Sequence, residues 1–136
     1  MLPLTLENVR LFIHVIAATV WVGGQLTLAG LVPALRSLGP DAPKAVARRF
    51  NVIAWSAFAV LVISGIWSLL DSAPGERTTA WNATLGIKLL MVAATGIAAA
   101  VHAGGRSKIA LAAGGAVSLI AGLAAVLLGI MLTSGT

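Results

Sequence analysis

Few side chains in this sequence can do chemistry, and those few are sunk in apolar runs. His14 stands within FIHVIAATVWVGGQ (12–25), which also holds Trp21 and Gln25; Lys88 and Met91 stand within LGIKLLM (85–91). An imidazole can ligate a metal or exchange a proton. An ammonium can hold an anion, a thioether is a soft ligand for Cu(I), and an indole packs over flat ligands. An ionisable group inside lipid is costly, so it marks a functional candidate. His14, Trp21 and Lys88 are therefore the candidates for holding a cofactor, and His14 with Met91 the candidates for ligating a metal. Each has a plainer reading. His14 can bond to a neighbouring helix, Lys88 can extend its stem to the head groups, and Met91 can fill a gap. His102, beside AGGRSK (103–108), reads as interfacial.

Other chemistry is excluded or unsupported. The chain has no cysteine, which removes disulfides, thiolate metal sites and cysteine nucleophiles. There is no paired carboxylate within the apolar runs, no Ser–His–Asp set and no phosphate loop. The Gly-Gly pairs at 23–24, 104–105 and 114–115 do not form GxGxxG and do not follow strands. Hydrolysis has no support. A binding or transport role is favoured over an enzymatic one, and the enzymatic alternative is a haem-linked oxidoreductase.

The elements that must position these residues follow from composition. Of 136 residues, 59% are hydrophobic and 10% are charged. A soluble domain carries about a quarter charged residues, so this chain is expected to have lipid as its main solvent. Four apolar runs, about 8–35, 45–70, 82–103 and 108–133, each approach or exceed the roughly 20 residues a spanning helix needs. The first run is too long for a typical leader and lacks its small-residue cleavage site, so it reads as a span. The expected fold is all-α: one integral membrane domain over 1–136, a four-helix bundle running up-down-up-down. LGPDAPK (38–44) and DSAPGERTT (71–79) separate the spans, Asp41 is placed to cap the second helix and Ser107 the fourth.

Charge orients the spans. Arg36, Lys44, Arg48, Arg49, Arg106 and Lys108 fall in the 1–2 and 3–4 connections, against Arg10 and Arg77 at the opposite ends. The positive-inside tendency puts those two connections in the cytoplasm and both termini outside. The net charge of +5 therefore serves topology and head groups, and no nucleic-acid face is expected.

Spacing then groups the polar residues. Arg10, His14, Ala18, Trp21 and Gln25 recur at helical spacing and form one stripe. Trp81, Lys88, Thr95 and His102 recur every seven residues and form another. His14 and Lys88 each fall about 9 Å inside the outer end of their helices. Both stripes are expected to face inward, making an outer-half pocket of His14, Trp21 and Lys88 with Met91 nearby. Gly115, Gly122 and Gly129, with Ser118, read as a packing face. The serines of the second span are expected to bond to their own helix backbone.

HVIAATVWVGGQLTLAGLVPALR (14–36), with its His followed by Trp-x-Gly-Gly, resembles the first helix of the copper-resistance D family of CopD-like membrane proteins. RRFNVIAWSAFAVLVISGIWSLL (48–70) and LGIKLLMVAATGIAAAVHAGGRSK (85–108) are similar to its next two helices. The same segments are similar to HemJ-type protoporphyrinogen oxidases, in which a first-helix His and a third-helix Lys form the functional pair; these would be His14 and Lys88. Pro33-Ala34 stands where that group often has Pro-Arg, which places the chain nearer the copper-resistance side. The resemblance implies a multi-pass protein of the bacterial plasma (inner) membrane that binds or transports copper. The alternative is a redox protein with haem b, in which His14 is an axial ligand and Lys88 meets a propionate. A third reading is an accessory subunit of a larger membrane complex, or a homo-oligomer, with lipid as its constant partner.

Overall fold

Leucine, alanine, valine and isoleucine dominate each apolar run, and in lipid a backbone without water must bond to itself, so helices are the expected solution. The computed structural model describes residues 1–135, and among them there is no strand. Four helices are long and apolar enough to cross a membrane: α1 (Leu6–Ser37), α2 (Ala42–Asp71), α3 (Thr79–Gly104) and α4 (Lys108–Ser134). A 3₁₀ turn, Pro74–Glu76, precedes α3. The protein is an all-α, multi-pass membrane protein. Large apolar side chains such as Phe12, Ile63, Leu90 and Ile120 are exposed along these helices, as lipid-facing residues are.

The chain divides into two compact units, residues 1–72 and the segment from Ala73 onward. Each is a helical hairpin. The first pairs α1 with α2, and the second pairs α3 with α4.

Local chemistry sets the helix ends. Thr5 caps α1, accepting from the Asn8 backbone N–H at 3.2 Å, while Asn8 Oδ1 accepts from the Thr5 N–H at 3.0 Å. This reciprocal box holds the first turn together. Ser107 caps α4 by accepting from the Ala110 N–H at 3.0 Å, as its position led one to expect. Thr78 does the same for α3 through the Trp81 N–H at 3.1 Å. Asp41 occupies the cap position of α2, but its side chain caps nothing. Its backbone is already helical (φ −89°, ψ −17°), so the carboxylate is not turned toward the first N–H groups, and Pro43 in that first turn offers no N–H at all. The tight 1–2 connection turns at Gly39, whose φ of +131° a side chain would resist.

One departure from regular helix was not foreseen. Between Thr19 and Gly23, α1 widens into a π turn. The extra residue shifts the helix register, and adjacent Trp21 and Val22 are both buried, at 2% and 8% exposure.

Candidate functional site

In the first hairpin the predicted stripe of α1 does turn inward. Arg10, His14, Ala18 and Gln25 are part-buried and Trp21 is fully buried, whereas Leu11, Phe12, Ile13, Val15 and Ile16 are exposed. The partner of His14 is Ser64 of α2. His14 Nδ1 lies 2.7 Å from Ser64 Oγ, and the Ser64 hydroxyl donates to the Val60 carbonyl at 2.7 Å. A hydroxyl has one proton. With that proton on Val60 O, the histidine N–H must point from Nδ1 to the serine oxygen. In that arrangement His14 is the Nδ1–H tautomer and Nε2 carries the lone pair; with the serine proton directed at Nδ1 instead, the roles reverse. Ser64 is 4% exposed, and His14 is part-buried.

Glycine shapes the neighbourhood. A Cβ placed on Gly65 would come within 3.7 Å of His14 Cε1, so the edge of the imidazole rests on glycine backbone. A Cβ at Gly24 would come within 2.6 Å of Phe50 Cε2. The second glycine of Trp-Val-Gly-Gly therefore admits the Phe50 ring of α2.

Trp21 anchors an aromatic cluster. Its ring meets Trp55 edge-on at 5.2 Å and Phe58 at 4.5 Å, and Trp55 meets Phe58 edge-on at 5.6 Å. Contacts of this kind add to burial and fix the spacing of the helices. At the other end of the hairpin, Arg10 pairs with Asp71 and lies over the Trp67 ring, 5.7 Å from its centroid. Leu6, Glu7, Arg10, Trp67 and Asp71 line a cleft there of about 180 Å³.

In the second hairpin the heptad of α3 meets α4 at every step. Trp81 Nε1 donates to the Leu132 carbonyl at 3.4 Å. Lys88 Nζ packs on Gly129, 3.3 Å from where a Cβ would stand. Thr95 Oγ1 donates to the Ser118 carbonyl at 2.6 Å, and Ser118 Oγ donates to the Thr95 carbonyl at 2.9 Å. His102 Nδ1 lies 2.5 Å from the Leu111 carbonyl, with its ring against Gly115. Thr95 and Ser118 are buried, while His102 is exposed at the helix end. The glycine face of α4 thus meets α3 of its own chain at Gly115 and Gly129.

His14 and Trp21 belong to the first hairpin; Lys88 and Met91, which is part-buried on α3, belong to the second. Among the described residues no group of three or more His, Cys, Asp and Glu side chains converges. Sequence reasoning missed Ser64 as the partner of His14. Its type gave no signal, because a serine in an apolar helix ordinarily bonds to its own backbone. Gly114 was also missed. A Cβ there would stand 2.8 Å from the His102 backbone nitrogen and 2.9 Å from the Ala98 carbonyl oxygen, closer to backbone than at Gly115 or Gly129.

No protein-family model, no curated protein and no solved structure matches this chain.

Proposed function

We propose that this membrane protein binds a haem b-type macrocycle in its first hairpin, where His14 would hold the iron, and that it serves a redox role. The single observation behind this reading is the hydrogen bond between His14 Nδ1 and Ser64 Oγ. Imidazoles that ligate metals ordinarily donate their other N–H to a fixed acceptor, which sets the tautomer and aims the ligating nitrogen. Ser64, itself tied to Val60 O, supplies that acceptor inside the hairpin.

The donor set distinguishes the two groups that the sequence resemblance implies. A macrocycle brings its own four nitrogens and needs one imidazole from the protein. A copper ion held by side chains needs several donors. In the first hairpin His14 is the one histidine, there is no cysteine, and the sole methionine is Met1. One imidazole serves haem well and copper poorly. When bound, haem would supply one-electron chemistry at iron. The chain would supply the rest: Ser64 orients His14, and the Trp21–Trp55–Phe58 cluster fixes the distance between α1 and α2.

The test is reconstitution of the purified full chain with haem in detergent, read by absorption and by metal analysis. A Soret band that shifts on binding in the wild type and is absent in His14→Ala supports the reading. Stoichiometric copper with no haem uptake returns the copper reading in its place.

A further inference from the structure

The basic end of the first hairpin carries an independent proposal. Arg36 lies in the last turn of α1, and Lys44, Arg48 and Arg49 lie in the first two turns of α2. All four are exposed. The ion pair among the described residues is Arg10–Asp71, at the other end of the same hairpin, so these four cations are not neutralised by a carboxylate. Asp41 is the one acid near them in sequence, and it forms no ion pair.

Helix length decides where this cluster sits. α2 has 30 residues, about 45 Å at the usual rise, well beyond a hydrocarbon core of about 30 Å. Its uncharged stretch, residues 50–70, spans about 31 Å and is bounded by Arg49 on one side and Asp71 on the other. That stretch matches the core. Arg48 and Arg49 then mark the edge of the hydrocarbon, and residues 42–47 extend through the head-group layer. Lys44 and Arg48 are four apart and share a face of α2. Guanidinium groups match phosphate oxygens in geometry as well as charge. A row of cations at this depth meets lipid phosphates before it meets water.

We propose that Arg36, Lys44, Arg48 and Arg49 form a binding surface for the head groups of anionic phospholipids, with Arg48 and Arg49 contacting phosphate at the edge of the core. The ligand is the anionic diacyl lipid of the surrounding leaflet, and selectivity over a zwitterionic lipid comes from net charge. Each basic residue near an anionic membrane surface contributes about fivefold to the attraction.

The experiment uses the full chain in mixed bilayer discs of phosphatidylglycerol and phosphatidylcholine. Lipids that stay bound after extraction are counted by native mass spectrometry. Wild type is expected to retain phosphatidylglycerol over phosphatidylcholine at least tenfold above their ratio in the disc. R48Q/R49Q should lose most of that preference, and R48K/R49K should keep part of it. R77Q, outside the cluster, should match wild type. Should R48Q/R49Q fail to fold, R36Q/K44Q in the same assay must still lower the preference by severalfold. Retention of both lipids in proportion to the disc, or a preference that survives every one of these changes, overturns the proposal. Soluble glycerol phosphate added as competitor should not displace the lipid; displacement by it would assign the site to free phosphate compounds.

Discussion

His14 on α1 and Ser64 on α2 are joined by a 2.7 Å contact between Nδ1 and Oγ, which holds the imidazole ring against α2. Replacing Ser64 with alanine removes the acceptor and little volume. Loss of such a partner ordinarily lowers metal affinity about 10- to 100-fold. Haem titration of Ser64→Ala should therefore show a dissociation constant raised by about that factor, with helix content by circular dichroism unchanged. An unaltered affinity would deny Ser64 its orienting role.

Trp21 should matter to stability more than any other aromatic residue in the first hairpin. It is 2% exposed and touches both Trp55 and Phe58. Truncating a buried tryptophan to alanine costs about 3–5 kcal/mol. Trp21→Ala should lower stability by that order in reversible unfolding from mixed micelles, and Trp21→Phe should cost markedly less because the ring contact persists in part. Equal stability of Trp21→Ala and wild type would mean that the cluster does not hold the hairpin together.

The Arg10–Asp71 pair should contribute little as an ion pair. Asp71 is 56% exposed, and exposed pairs are typically worth 0–1 kcal/mol, roughly. Asp71→Asn should thus shift the melting temperature only slightly, and the difference from wild type should shrink in 1 M salt, roughly, where screening is short-ranged. Arg10→Ala should cost more than Asp71→Asn, because it also removes the stack over Trp67. The reverse order would show that charge, rather than packing, dominates this end.

Two glycines of α4 should respond differently to the same substitution. At Gly114 an added methyl meets the backbone of α3 at His102 and Ala98, which cannot swing aside. At Gly129 it meets only the far end of Lys88, a flexible side chain rather than backbone. Gly114→Ala should destabilise the second hairpin severely and Gly129→Ala mildly, as measured by resistance to unfolding in denaturing detergent. Similar effects from both would contradict the close approach at Gly114.

Much of this fold can be read from the sequence because lipid enforces it. Length and hydropathy alone place four helices within about three residues of their observed ends, and the seven-residue recurrence of Trp81, Lys88, Thr95 and His102 does mark the face of α3 that meets α4. The inward stripe of α1 is legible for the same reason: a polar group facing acyl chains is penalised. What escaped has physical reasons too. The π turn at Thr19–Gly23 depends on how Trp21 and Val22 pack, which no local propensity encodes. Ser64 bonds to its own helix, as serines in lipid commonly do, and its second role appears only once α1 is docked beside it. Gly114 was passed over because a seven-residue glycine pattern runs through its neighbour Gly115, while the tighter contact depends on the crossing of the two helices. Asp41 occupies the expected cap position, but the proline after Ala42 removes a donor that a cap would serve.

The most direct measurement is the absorption spectrum of the full chain reconstituted with haem, taken for wild type and for His14→Ala in the same detergent. A shifted Soret band at one haem per chain in wild type, absent in His14→Ala and recovered when free imidazole is added to that variant, is the predicted result. A wild-type spectrum identical to that of haem in empty micelles, or a His14→Ala spectrum identical to the bound wild type, would contradict it.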